Sequence, residues 1–148
     1  THMFATSKKE AINMRLLLQQ DSLLCSQTIY ARPYVPLHQY GTGIGGIPIS
    51  EEYRFFVLDK EILTGAFYWS EHFDQVSPRP RANSVPRDWL NEVINLIDDN
   101  VRFYVIDVAR TKNGNWIVIE LNDGQMSGLS MNDPSVLYKK LNRVLNCQ

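Results

Sequence analysis

The sequence predicts an α+β fold in which an antiparallel β-sheet is flanked by helices. Two pairs of segments rich in β-branched and aromatic residues are each joined by a short turn sequence: 52–58 with 62–69, and 103–109 with 116–122. Three amphipathic segments with helical spacing surround those pairs: 8–25, 86–99 and 133–146. Because strands joined by short turns pair antiparallel, we expect the two hairpins to form a sheet that the helices cover.

Composition places the chain among globular proteins. It has 148 residues, 44% of them hydrophobic, and a net charge of -1, so no global field would draw it onto nucleic acid or an anionic membrane. No apolar run reaches the roughly 18 residues that span a bilayer, and the two cysteines lack metal-like or redox-like spacing. We therefore expect a cytoplasmic protein without a membrane partner. Residues 1–3 are interpreted as a cloning scar and residues 4–148 as a single domain.

The amino-terminal third predicts one helix, one edge strand and a glycine-rich loop. Residues 8–25 place leucine and isoleucine at helical spacing. The segment 30–37 has strand composition, but Pro33 and Pro36 remove backbone donors and favour the edge of a sheet. Residues 41–46 have the glycines of a dinucleotide-binding fingerprint. Because a strand follows them instead of a helix, we interpret them as a mobile loop before a hairpin.

A basic connection precedes the second amphipathic helix. Residues 77–87 contain three prolines and three arginines, which predict an exposed and irregular segment. Arginines and aromatic residues can combine into a surface for single-stranded nucleic acid. The candidates for such a surface are Arg79, Arg81, Arg87, Tyr68, Trp69 and Trp89. The overall charge does not support this hypothesis, and a strong salt dependence of nucleic-acid binding would be needed to revive it.

The second hairpin is the most informative part of the sequence, because Asn113 and Gly114 are a strong signal for a two-residue turn. If they are the central turn residues, counting back along both strands places Asp107 directly opposite Glu120. Side chains alternate along a strand, so Asn122 shares the face of both acids. Apolar residues flank the acids, which predicts two buried strands in which the carboxylates need a cationic partner.

That cationic partner is either a metal ion or an arginine. Oxygen ligands without His or Cys favour Mg²⁺ or Mn²⁺ over Zn²⁺, and Mg²⁺ typically binds one or two carboxylates together with substrate phosphates. Asp107, Glu120 and Asn122 are therefore candidate metal ligands. The alternative is that the two acids pair with arginines such as Arg54 or Arg110, or that one acid lies at a solvated edge.

The sequence around these acids resembles the ATP-grasp superfamily. Members of that superfamily carry an Asp on one strand and a Glu-x-Asn on the next, as Asp107 and the segment 120–122 do here. The segment 120–128, which reads Glu-Leu-Asn-Asp-Gly-Gln-Met-Ser-Gly, is similar to the ending of a poorly characterised clade of bacterial and phage ATP-grasp proteins. The resemblance extends from Ile29 to Leu129 and corresponds to the carboxy-terminal portion of that fold.

The resemblance implies roles for four residues. Asp107 would bind one magnesium ion, Glu120 would bridge two, and Asn122 would bind the second. Arg54, in the central strand, would be a catalytic and nucleotide-binding residue that faces the phosphates of ATP or an acyl-phosphate.

The resemblance also implies an adenine-binding hinge. The backbone of a segment that contains Ala31, Arg32 and Tyr34 would lie against the adenine ring. This match depends on position before the Arg54 strand and not on a distinctive motif, and Pro33 departs from it by removing one backbone donor.

The implied reaction is that of an ATP-dependent ligase with ATP and Mg²⁺ (or Mn²⁺) as cofactors. A phosphoryl group passes from ATP to a small-molecule or peptide carboxylate, and an amine or similar nucleophile then displaces phosphate. The family's fold also has a small domain whose lysines cover the phosphates, and this sequence starts after most of it. An amino-terminal portion outside this sequence, or a homo-oligomer, would then complete the site. The alternative is a non-catalytic module that binds nucleotide or a partner protein.

Overall fold

The computed structural model describes residues 5–146, and these residues form an α+β fold, as predicted. The described residues up to Tyr34 make one compact unit, and those from Val35 onward make a second. The first unit contains α1 (Lys8–Gln20). The second contains, in chain order, β1 (Gln39–Thr42), β2 (Pro48–Ser50), β3 (Glu52–Leu58), β4 (Glu61–Phe67), α2 (Arg87–Asn95), β5 (Phe103–Arg110), β6 (Trp116–Asp123) and α3 (Pro134–Asn146). Residues 1–3, interpreted as a cloning scar, lie outside the described part.

Helix α1 begins and ends at side-chain caps. The Ser7 hydroxyl accepts a hydrogen bond from the backbone N–H of Glu10, which satisfies one of the free donors of the first turn. At the other end, the Asp21 carboxylate accepts from the N–H groups of Leu23 and Leu24, and these bonds compete with continuation of the helix. The helix therefore stops at Gln20, five residues before the predicted end.

The segment predicted as an edge strand is extended but does not form a strand. Leu37 makes an isolated bridge with Thr111, and the Pro36 carbonyl accepts from the N–H of Lys112 at 2.9 Å. Because proline lacks a backbone N–H, a continuous ladder cannot form through 33–36. The glycine-rich run that follows is only partly a loop, since β1 and β2 pair across it as a separate two-stranded sheet.

Both predicted hairpins are present in one antiparallel sheet with the order β4-β3-β5-β6. Strand β5 lies between two partners, and its residues from Tyr104 to Ala109 are buried. Strand β6 is an edge of the sheet, where Glu120 and Leu121 are exposed. The prediction that both strands of the second hairpin are buried is therefore wrong for β6.

The turn of the second hairpin differs from the prediction, yet the predicted acid pair is present. The N–H of Thr111 donates to the carbonyl of Asn115, so three residues form the loop instead of two. Gly114 takes a positive φ of 87°, which a side chain would make unfavourable. A β-bulge at Ile119 then adds one residue to β6, and Asp107 lies opposite Glu120.

The two faces of the sheet carry different cores. One face packs against α2 in the larger core, formed by Tyr53, Phe55, Val57, Phe67, Leu90, Ile94, Tyr104, Ile106 and Val108 among others. The other face is apolar only where α3 covers it, in a smaller core of Phe56, Leu58, Leu63, Val105 and Leu137. Polar side chains occupy the rest of this second face, and they form the candidate site. None of the helices within 5–146 has the length and apolar character that crossing a membrane requires.

Candidate nucleotide and metal site

The centre of the site is a buried ion pair between neighbouring strands. Arg54 of β3 lies directly opposite Asp107 of β5. Its Nε donates to Asp107 Oδ1 at 2.8 Å and its Nη2 donates to Oδ2 at 2.7 Å, which is the bidentate geometry that a guanidinium and a carboxylate favour. Arg54 is 7% exposed and Asp107 is fully buried. Hydrogen bonding from Asp107, opposed by burial, raises the pKa of Arg54, so the arginine is cationic at any physiological pH.

Two further contacts fix the guanidinium of Arg54. Its Nη1 donates to the carbonyl of Gly128 at 2.8 Å. The ring of Tyr68 lies beneath its Cζ, with 4.9 Å between that atom and the ring centroid, a distance suited to cation–π attraction. The buried Asn132 side chain donates to the carbonyls of Arg54 and Leu129, which ties the loop after β6 to the central strand. The arginine is therefore held rigidly by the sheet and by that loop.

Glu120 and Asn122 form the open side of the site. Both lie on β6, two residues apart, so they share the face that carries Asp107. Asn122 Nδ2 donates to Glu120 Oε1 at 2.5 Å. Glu120 is exposed and Asn122 is half-buried. The structure thus brings four predicted site residues together on one face, with Asp107 in the protein interior and the Glu120–Asn122 pair at its surface.

Glu52 adds a third carboxylate to the same face. It precedes Arg54 by two residues on β3 and is 6% exposed. The Ser50 hydroxyl donates to Glu52 Oε2 at 2.8 Å, and Trp69 Nε1 donates to the same hydroxyl oxygen at 3.1 Å. Burial raises the pKa of Glu52 to about 7, with the charges of Asp107 and Glu120 adding to the rise and the Ser50 hydrogen bond and Arg54 opposing it.

The neighbouring Glu51 has different partners. Its Oε2 lies 3.1 Å from His38 Nδ1 and 3.6 Å from Arg110 Nη1. Arg110 therefore pairs with Glu51, and Arg54 with Asp107. Of the two arginines considered as alternatives to a metal ion, Arg54 is the one that neutralises a predicted metal ligand. His38 has a carboxylate partner in this cluster, away from the predicted acid pair.

The oxygen atoms of the site fit a hard divalent cation in kind and in access. In the described part of the chain, Glu120 Oε2 and Asn122 Oδ1 accept no hydrogen bond, and both belong to side chains that reach solvent. Asp107 uses one acceptor position on each oxygen for Arg54, and a carboxylate oxygen has a second. Within residues 5–146, no group of three or more His, Cys, Asp or Glu side chains is arranged as a metal cluster. A cation here would therefore depend on ligands from a bound phosphate as well.

The residues predicted to contact adenine belong to the first compact unit. Ala31, Arg32 and Tyr34 are exposed and lie in an extended segment without regular secondary structure. The other predicted site residues belong to the second unit. Adenine binding by the 31–34 segment stays a prediction.

Sequence reasoning did not identify Glu52, Tyr68 or Gly128 as site residues. A signal was present for Glu52, because alternation along β3 puts it on the face of Arg54. The contacts of Tyr68 and Gly128 with Arg54 depend on how β4 and the loop after β6 pack, and no local pattern encodes that packing.

Comparison with known protein families gives one match. The model of an ATP-grasp domain family, described as the third family of its clade, matches residues 7–141, which is nearly the whole chain. No curated protein and no solved structure matches it significantly.

Proposed function

Because this chain belongs to that clade family of ATP-grasp domains, which have an ATP-binding, ligase-type fold, we propose that it activates a carboxylate with Mg-ATP. The γ-phosphoryl group passes to the carboxylate of a small molecule or peptide, and ADP and an acyl-phosphate form. An amine or similar nucleophile then attacks the acyl carbon, the bond to the phosphate oxygen breaks, and phosphate leaves with the electron pair.

The observation that carries this proposal is a rigid cation beside an open pair of oxygen ligands. A guanidinium has five N–H donors, and Arg54 uses three of them for Asp107 and Gly128. The remaining donors and the positive charge are available to an anionic phosphate or acyl-phosphate. A preorganised cation in a partly dry site stabilises charge that develops during phosphoryl transfer without having to reorient.

Glu120, Asn122 and Asp107 are the residues that would hold the magnesium ion. The ion would neutralise charge on the phosphate oxygens of the nucleotide. The hydrogen bond between Glu120 and Asn122 keeps the two side chains together on β6, which reduces the entropy lost when both bind one partner. The backbone of the 31–34 segment, with Ala31, Arg32 and Tyr34, would contact the adenine.

The direct test is an acyl-phosphate trap. The chain is incubated with Mg-ATP, hydroxylamine and a panel of amino acids, dicarboxylates and peptides, and ADP and hydroxamate are measured. We expect hydroxamate and ADP in equal amounts with at least one acid. Replacing Arg54 by Lys keeps a charge but loses the bidentate fork, so product should fall by about tenfold or more. ADP release that does not depend on any acid would contradict the ligase function.

A non-catalytic nucleotide-binding or protein-binding module is the second candidate. The observation that favours it is the complete burial of Asp107 against Arg54, since an ion pair of this kind also serves as a structural element. A non-hydrolysable ATP analogue separates the possibilities. Mg²⁺-dependent thermal stabilisation without any acid-dependent ADP release indicates a nucleotide-binding module, and no stabilisation at all indicates a protein-binding one.

A further inference from the structure

Glu52 is a buried carboxylate that is oriented but not neutralised. The hydrogen bonds from Trp69 to Ser50 and from Ser50 to Glu52 Oε2 fix one side of the carboxylate. Its Oε1 accepts no hydrogen bond from any residue in 5–146, although the side chain is more than nine-tenths buried. A buried oxygen of this kind costs free energy unless a donor completes it.

The charges around Glu52 do not balance. Glu52, Arg54, Asp107 and Glu120 share one face of the sheet, which gives three carboxylates and one guanidinium. The guanidinium is engaged by Asp107 through two hydrogen bonds. Over the described residues, neither Glu52 nor Glu120 forms a salt bridge with a lysine or an arginine. This part of the face therefore favours a cationic ligand that donates hydrogen bonds.

We propose that Glu52 binds the ammonium group of the nucleophile, so that the second substrate is a primary amine and not an alcohol or a thiol. This inference depends on the proposed ligase function. An ammonium group supplies both the charge and the N–H donors that Glu52 Oε1 lacks. Ser50 and Trp69 are positioning residues, because they hold the carboxylate through its other oxygen.

The test compares a cationic with a neutral nucleophile at about pH 7.5. Methylamine is almost entirely protonated there, whereas hydroxylamine is mainly uncharged. With the acid found in the trap assay, Glu52→Gln should raise the KM for methylamine by about tenfold or more, because a hydrogen bond to a charged group is lost. Hydroxamate formation should stay within about twofold of the parent. Glu51→Gln is the matched control, since Glu51 is an adjacent, equally buried glutamate with His38 and Arg110 as partners.

Each outcome bears on a different claim. An unchanged methylamine KM in Glu52→Gln overturns the amine assignment and leaves the ligase function intact. Loss of hydroxamate in the same variant, with a folded protein and a normal Glu51→Gln, also overturns it, because Glu52 would then act in acyl-phosphate formation. A parent that forms no hydroxamate overturns both. Should Glu52→Gln unfold, Ser50→Ala provides the second variant, which keeps the carboxylate, frees its orientation and should raise the methylamine KM by about threefold.

Discussion

One face of the central sheet has two ends with opposite chemistry. Under α3, Phe56 and Val105 are buried by Leu137, and the contacts are apolar. Two residues further along the same strands, Arg54 and Asp107 are just as buried but form an ion pair. Helix α3 stabilises the first end by covering it, whereas the second end is stabilised by pairing its own charges.

This difference shows how one pair of strands supplies both a core and a site. The period of two along β3 and β5 puts Val105 and Asp107 on the same face, so the apolar end fixes the height at which the charged end is held. A rigid apolar base limits the movement of the ion pair above it. The four predictions below alter one end or the other and are ordered by the expected change in the free energy of unfolding.

The largest effect is expected for Asp107→Ala. This change leaves Arg54 buried without its partner, which costs about 3–5 kcal/mol. Urea unfolding followed by fluorescence measures the loss. An intact free energy of unfolding would mean that solvent or another group already neutralises Arg54. Asp123→Ala, an exposed acid on the edge strand, is the control and should change stability by less than about 0.5 kcal/mol.

Leu137→Ala tests the apolar end. Leu137 is 2% exposed, and truncating a buried leucine costs about 2–4 kcal/mol through lost burial and the cavity that remains. Val136→Ala, at a position 42% exposed, is the matched control. Under conditions where both variants are folded, Mg-ATP should stabilise them by equal amounts. Selective loss of nucleotide stabilisation in Leu137→Ala would show that the two ends are coupled more tightly than the ladder alone requires.

The pH dependence of stability tests the charged end without removing a partner. The pKa of Glu52 is raised from 4.5 to about 7 by folding, so the folded state holds this proton more tightly than the unfolded state does. The resulting stability is present below about pH 4.5 and is lost as pH rises through about 7, with a magnitude of about 2–3 kcal/mol. Unfolding measured at about pH 5 and pH 8 should show this loss in the parent. In Glu52→Gln it should disappear, and a persistent loss would assign it to another group.

Glu120→Gln should have the smallest effect on folding and a large effect on ligand binding. The side chain is exposed, so the free energy of unfolding should change by less than about 0.5 kcal/mol. If Glu120 holds the magnesium ion, the thermal stabilisation by Mg²⁺ and a non-hydrolysable ATP analogue should vanish. Glu92→Gln, on the exposed side of α2, is the control. Equal stabilisation of parent and Glu120→Gln would exclude Glu120 as a ligand.

The parts of the fold set by local patterns were predictable from the sequence. Alternation and turn signals gave both hairpins, and helical spacing gave three helices, although α1 and α2 end before the predicted positions. The opposition of Asp107 and Glu120 was predicted from a regular two-residue turn, and it is present because a longer loop is combined with a bulge. The composition of residues 30–37 favoured a strand, but the backbone donors missing at Pro33 and Pro36 outweighed it.

The site was predictable only where it depends on register. Residues on the same face of neighbouring strands follow from counting, and this identified Arg54, Asp107, Glu120 and Asn122. Which of them is buried depends on the order of strands in the sheet, and so the sequence did not reveal that Glu120 lies at an edge. It also did not reveal that Arg54 itself neutralises Asp107. For that reason Asp107→Asn, which the register argument alone would treat as harmless to folding, is now expected to be destabilising.

The bulge at Ile119 gives the second hairpin one residue of slack. A related chain that is one residue shorter between the loop and Glu120 could close the bulge and still place its glutamate across from its aspartate. A chain that is one residue longer would need a second irregularity. A single-residue gap in this hairpin is therefore compatible with an intact acid pair, and an alignment should put such a gap at the bulge before it moves the glutamate.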